Sequence, residues 1–270
     1  MAFDDRGKLT KQAPMTAYRF VERGPAWREE YAELLTDPEG LLGRAGVDVV
    51  NRGKRRTVVR APVDGATLAV KLFDESTWLD RLEGVFVGSS AHRVAHGMAL
   101  MRAAGLRAPG LVALLEKGRG LVRSGSCVVS EWISDGGQLH QVAAVLTPAE
   151  RHRFARALGA YLRRLHAAGL FPQDTGSGNI LAWRDAGGWQ FVLVDLDRVR
   201  RYRRLSWRRR RNNLVQLHRS LGRHARPADQ VAFLREYLGP VDKGELTSVG
   251  ADIVAASRRK DAEKGEPVCQ

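Results

Sequence analysis

Residues 171–183 read FPQDTGSGNILAW. Asp174 is followed by four small or polar residues, then Asn179, then an apolar run. In isolation such residues are turn formers, because short polar side chains bond to their own backbone and Gly tolerates a left-handed conformation. The surroundings change that reading. Upstream, Thr147 and Glu150 form a capping box with Pro148 at the first helical position. Phe154, Leu158, Tyr161, Leu162 and Leu165 then mark one apolar helical face ending at Gly169. Downstream, NILAW and WQFVLVDLD read as two strands joined by RDAGG, a hairpin that ends in Asp195.

Further out, residues 46–73 read as β structure: GVDVV, then NRGK, then RTVVRAPV and TLAVKLF around the turn Asp64-Gly65. Residues 90–104 have helical spacing at Val94, Met98 and Met101, with Gly105 as the stop. SCVVSEWI (126–133) is β-rich and leads into SDGGQ, a hinge between lobes. Leu214, Leu217 and Leu221 predict one helix; Val231, Leu234, Tyr237 and Leu238 predict another. The polar tail beyond about residue 255 is expected to be loose. The fold class is α+β with two lobes: residues 1–131, small and β-rich, and residues 132–270, mainly helical, with a basic segment at 198–211.

A chain of 270 residues that is 44% apolar can bury a sizeable core and is not generally disordered. No apolar stretch reaches the roughly eighteen residues of a membrane span. The first fourteen residues lack the layout of a secretion signal. Cys127 and Cys269 do not make a disulfide framework, so a cytoplasmic location is expected. Forty-four Lys and Arg against thirty Asp and Glu leave +14, a field that attracts nucleic acid, an anionic membrane face or a phosphorylated substrate. The excess concentrates at Arg198, Arg200, Arg201, Arg203, Arg204 and Arg208 to Arg211, where a solvated helix face competes with an anion surface.

Phosphoryl transfer from ATP needs a lysine for the α- and β-phosphates and a carboxylate to orient the attacking hydroxyl. It also needs a carboxamide and a second carboxylate to hold Mg²⁺, which prefers hard oxygen ligands. Lys71, Asp174, Asn179 and Asp195 supply those parts in that order. Lys71 sits among apolar neighbours that would bury it without a partner, and Asp195 ends a strand dense in Val and Leu. Asp197 either assists the metal or holds an arginine such as Arg198. Gly53, Lys54 and Arg55 in NRGKRR are candidates for covering the phosphates, although the loop has one glycine. Glu131 and Trp132 are expected beside the adenine, recognised through backbone groups. His166 and His218 read as packing or hydrogen-bonding residues, since no metal-site histidine spacing occurs.

This arrangement resembles the eukaryotic-type protein kinase fold, whose catalytic loop carries Asp and Asn at the same spacing. More narrowly, LHAAGLFPQDTGSGNIL, VLVDLDRVR and SWRRRRNNLVQLHRSL resemble the lipopolysaccharide core kinases, the heptose and Kdo kinase family. There a DFD-like motif with basic residues after it replaces DFG, and a Trp-Arg…Asn-Leu…Leu-x-Arg-Ser-Leu helix follows. The likeness spans about residues 50–240. It implies a protein-kinase-like fold, ATP and Mg²⁺ as cofactors, and a phosphotransferase acting on a sugar of the lipopolysaccharide inner core. It also implies work at the cytoplasmic face of the inner membrane, with lipopolysaccharide or another glycolipid and an anionic membrane surface as partners.

Two departures support a competing reading. Pro172 and Gln173 precede Asp174 where relatives carry His and a basic or small residue, and the helix at 90–104 contains no glutamate to pair with Lys71. Glu75 and Glu83 lie just upstream. The competing readings are a pseudokinase serving as a binding module, and a kinase of another glycan or small-molecule alcohol. Nucleic-acid binding ranks last, because Tyr202 and Trp207 alone do not make an interleaved aromatic platform.

Overall fold

The computed structural model describes residues 17–63, 65–77, 88–119 and 122–264. Asp64, Glu83 and Cys269 lie outside the described residues. The chain divides into two compact units, residues 1–95 with 110–132 and residues 96–109 with 133–270.

The first unit is built on a six-stranded antiparallel sheet in the order β1-β5-β6-β4-β3-β2. Its strands are β1 (Tyr18–Arg23), β2 (Asp48–Arg52), β3 (Arg56–Val63), β4 (Ala66–Asp74), β5 (Leu111–Arg119) and β6 (Val122–Glu131). Strand alternation sorts β4 into two faces. Leu68, Val70 and Leu72 join a buried cluster with Val59, Val112 and Val129 on neighbouring strands. Tyr31 and Leu35, from the short helix α1 (Tyr31–Leu34) and its end, and Leu41, from a 3-10 turn (Gly40–Gly43), complete that layer. The region before residue 46 thus contributes an edge strand and part of the core. The helical spacing of Tyr31, Leu34 and Leu35 was the available signal.

Lys71 falls on the opposite face with Ala69 and Phe73, paired to Val58 on β3 and Val128 on β6. Helix α2 (Ser90–Ala103) begins on that same face: the Ala91 N–H donates to Ser126 Oγ at 3.3 Å, and Ser126 pairs with Phe73. The buried Glu75 carboxylate accepts the Ser90 N–H, placing negative charge at the first turn of α2. Helix α2 ends at Ala103, and the turn that follows closes at Gly105, whose φ of 67° suits the expected stop.

The second unit carries α3 (Leu139–Val145), α4 (Pro148–Ala167), α5 (Trp207–Leu221), α6 (Pro227–Leu238) and α7 (Lys243–Lys264). It also has a three-stranded sheet, β10 (Gly188–Leu193), β9 (Ile180–Asp185) and β7 (Gly137–Gln138), and a ribbon of β11 (Val199–Arg201) on β8 (Leu170–Pro172). The capping box of α4 forms as read: the Thr147 N–H donates to Glu150 Oε2 at 3.1 Å, and the Glu150 N–H donates to Thr147 Oγ1 at 3.4 Å. Helices α4 and α6 approach so closely that a Cβ on Gly159 would lie 2.4 Å from the Phe233 carbonyl oxygen.

The expectation of a loose tail beyond residue 255 is corrected: α7 runs to Lys264. Ile253, Ala256, Ser257 and Asp261 are buried on it. Three polar ties fasten it to α5: Arg211 to Asp252 at 2.6 Å, His218 Nδ1 to Ser257 Oγ at 3.1 Å, and Arg219 to Asp261. An apolar cavity of about 470 Å³, with Phe154, Leu214, Leu217, Leu234 and Ile253 in its wall, lies among α4 to α7. No helix of the described residues is long and apolar enough to cross a membrane.

Candidate active site

The loop between β8 and β9 is held from within and from below. Asp174 Oδ1 accepts the Gly176 N–H at 2.8 Å, and the Asn179 N–H donates to the Gly176 carbonyl at 2.9 Å. These local bonds are the turn chemistry expected of the residue types. They leave Asp174 exposed at the head of the loop.

Helix α5 supplies the support. Asn213, fully buried, donates through Nδ2 to the Pro172 carbonyl at 2.8 Å. Gln216 Nε2 donates to the Gln173 carbonyl at 2.7 Å, while its Oε1 accepts the Thr175 N–H at 3.1 Å. The Thr175 hydroxyl reaches the Asn213 carbonyl at 2.9 Å, and Ser220 Oγ accepts the Ser177 N–H at 2.9 Å. Every backbone group from Pro172 to Thr175 named here is thereby satisfied by α5, as buried polar groups require.

The network continues inward and fixes a tautomer. Because Nδ2 of Asn213 is spent on Pro172, its Oδ1 faces His166 Nε2 at 3.0 Å and must accept, so Nε2 carries the proton. His166 Nδ1 then accepts from the Tyr237 hydroxyl at 2.7 Å. Burial lowers the His166 pKa to about 4, which keeps the ring neutral near pH 7. The sequence reading of His166 and His218 as hydrogen-bonding residues agrees with this. It missed Asn213, Gln216 and Ser220, whose signal was polar residues set beside the Leu214, Leu217 and Leu221 stripe.

The hairpin expected after the loop forms, with Leu193 opposite Ile180. One rung further, the Val194 N–H donates to the Asn179 carbonyl at 2.9 Å. Asn179 and Asp195 therefore sit at the same end of the hairpin, with Asp174 across the loop. Leu196 is buried, and a Cβ on Gly97 of α2 would lie 2.2 Å from its carbonyl oxygen. The Asp195–Asp197 segment is thus pinned under the second half of α2. Asp197 Oδ2 lies 3.8 Å from Arg198 Nε, the arginine named in the sequence reading.

In the first unit, Lys71 is half-buried in the middle of the sheet. The Gly53 N–H donates to the Arg56 carbonyl at 2.8 Å, closing the β2–β3 turn on which Lys54 is exposed. Arg55 is tied back to Thr77 Oγ1 at 3.1 Å. Glu131, at the end of β6, donates its N–H to the Gly110 carbonyl at 2.9 Å and accepts the Gly110 N–H at 3.2 Å through Oε2.

The basic segment divides. Arg209 lies 4.1 Å over the Tyr202 ring, Arg210 is half-buried with its Nε shielded from solvent, and Arg211 pairs with Asp252. Arg198, Arg200, Arg201, Arg203, Arg204 and Arg208 are exposed. Among the described residues, no group of three or more His, Cys, Asp or Glu side chains could hold a metal ion. The residue types at the hairpin end are a carboxamide, Asn179, and the carboxylates of Asp195 and Asp197. That set suits Mg²⁺, which takes few protein ligands and completes its shell with water and substrate phosphates.

Known proteins agree with this architecture. The model of the lipopolysaccharide kinase (Kdo/WaaP) family matches residues 86–237. A solved structure described as WaaP in complex with acyl carrier protein is similar at a TM-score of 0.65 and 21% identity, covering 88% of this chain and 98% of that one. No curated protein matches this chain in sequence. The fold is protein-kinase-like, and the family match spans more than half of the chain. The chain belongs to the lipopolysaccharide kinase (Kdo/WaaP) family, phosphotransferases that act on a sugar hydroxyl.

Proposed function

We propose that the protein transfers the γ-phosphoryl group of ATP to a heptose or Kdo hydroxyl of the lipopolysaccharide inner core, at the cytoplasmic face of the inner membrane. The observation that carries this reading is the Asn179–Val194 rung, which sets Asn179 and Asp195 at one hairpin end while Asp174 heads the same loop. Asp174 orients the acceptor hydroxyl and takes its proton as the O–P bond forms. Asn179 and Asp195 are the residues to hold Mg²⁺, which when bound neutralises charge on the phosphates. Lys71 steadies the α- and β-phosphates, and Gly53 with Lys54 covers them. At the end of β6, Glu131 spends its N–H and carboxylate on Gly110 and Trp132 its N–H on the Thr67 carbonyl, so adenine recognition at Glu131 and Trp132 falls to their carbonyl groups.

The test is Asp174→Ala. Removing a general base costs about 10²–10⁴-fold in rate, so Mg²⁺-dependent transfer to purified core acceptor should fall by at least about 100-fold. Melting temperature should hold, because Asp174 is exposed and makes only a local turn bond. Retained turnover would reject the assignment. The absence of glutamate from Ser90–Ala103 favours one second reading, a pseudokinase. That reading requires the parent protein itself to show no Mg²⁺-dependent turnover of ATP with any core acceptor.

A further inference from the structure

We infer that the exposed part of residues 198–208 is a docking face for an anionic lipid bilayer, with Trp207 as its interfacial anchor. The inference rests on the lipopolysaccharide kinase reading for its biological sense, but its observations are independent of the catalytic residues. Of the nine arginines in 198–211, Arg209, Arg210 and Arg211 are half-buried, Arg209 over the Tyr202 ring and Arg211 paired with Asp252. The other six are exposed, and among the described residues only Arg198 has an ion-pair neighbour, Asp197 at 3.8 Å. Five guanidinium groups without a carboxylate on about ten residues repel one another. An anionic surface relieves that repulsion.

The segment is also held rigidly. Arg200 pairs with Phe171 and Arg201 with Leu170 in the β11–β8 ribbon, and the Tyr202 N–H donates to the Gly169 carbonyl at 2.8 Å. A Cβ on Gly169 would lie 2.0 Å from the Tyr202 carbonyl oxygen, so the two segments touch backbone to backbone. Leu205 is buried, and Ser206 accepts the Arg209 and Arg210 N–H groups at the start of α5. A charge run that only solvates the chain needs no such fixation.

Amid these arginines, Trp207 is 40% exposed. An indole beside cationic side chains is poorly placed in water and well placed at headgroup depth, where its ring is buried and its N–H stays wet. The face adjoins the catalytic loop through β8, whose last residue, Pro172, lies two before Asp174. An acceptor anchored in the same bilayer would then meet Asp174 by lateral search at raised effective concentration. A nucleic-acid strand would want several stacking aromatics along a groove, and this face offers one exposed indole.

The experiment is co-sedimentation of the full chain with phosphatidylglycerol/phosphatidylethanolamine vesicles and with phosphatidylcholine vesicles. The parent should bind the anionic vesicles alone. Reversing Arg200, Arg201 and Arg204 to Glu should weaken binding by at least about 100-fold, and Trp207→Ala should lower the part that survives high salt. Circular dichroism should not change in either variant and the melting temperature should hold in the triple variant, while Trp207→Ala, whose ring is partly covered, is assayed well below its own melting temperature. Turnover on a soluble, deacylated core oligosaccharide should stay at the parent level in both variants. Equal binding to both vesicle types, unchanged binding by the triple variant, or tighter binding to an oligonucleotide than to anionic vesicles would overturn the docking face. So would lost turnover on the soluble acceptor with vesicle binding intact, since the arginines would then read the acceptor itself. Vesicle binding that depends on these residues in a protein with no kinase activity would support the face while removing the kinase reading.

Discussion

Asn213→Ala tests whether the active loop owes its shape to α5. The substitution removes Oδ1, which accepts from His166 Nε2, and Nδ2, which donates to the Pro172 carbonyl. Gln216 Oε1 keeps the Thr175 N–H, so it is not orphaned. Two buried groups lose their partners, at about 1–3 kcal/mol each. The expected destabilisation is therefore about 4 kcal/mol, which for a chain of this size lowers Tm by roughly 8–16 °C. The rate should suffer beyond that, because Pro172 and the two residues after it are no longer pinned, and a shift of about 1 Å in a catalytic group can cost about 100-fold. Differential scanning fluorimetry gives the first number. Phosphoryl transfer measured well below the variant's Tm gives the second. Tyr237→Phe strikes the other end of the relay, so the double variant should be sub-additive by about 0.5 kcal/mol or more. A Tm within about 2 °C of the parent, together with parental turnover, would refute the account of the loop.

His166 makes stability depend on pH. Its folded pKa of about 4 lies below the unfolded value of 6.5, so between those values the unfolded chain binds the proton first and stability falls as pH falls. The loss should reach about 2 kcal/mol at pH 5 and be absent above pH 7, read by urea denaturation; a His166→Gln protein with the same slope would assign it elsewhere. Gly97→Ala should destabilise the second unit by about 1–3 kcal/mol and slow transfer, despite the better helix propensity of Ala, because its Cβ would meet the Leu196 carbonyl oxygen at 2.2 Å. Unchanged fluorimetry and turnover would mean that the Asp195–Asp197 segment is not held by α2.

Much of the fold was legible because its signals are local. The Thr147/Glu150 box, the apolar face of α4, the β9–β10 hairpin and the Gly105 stop each depend on residues a few positions apart, and each forms where the sequence placed it. The strand β5 was missed because LVALLEKGR opens with a continuous apolar run that has no period to read. Helix α7 was missed for a different reason: its polar residues look solvated until Arg211, His218 and Arg219 of α5 are brought against them.

The same division holds at the candidate site. Sequence alone determined which chemistry was on offer, since the order of Lys71, Asp174, Asn179 and Asp195 is a property of the chain and each residue type has a fixed donor set. Tertiary structure decided which polar groups work as struts and which face outward. Asn213 and Asn212 are adjacent and identical in type, yet only Asn213 is fully buried under the loop. Nine arginines look alike in a string of letters, yet six are exposed and three are half-buried against the fold. Burial and partner choice depend on residues tens of positions away, and no local pattern encodes which of two neighbours the helix will turn toward the core.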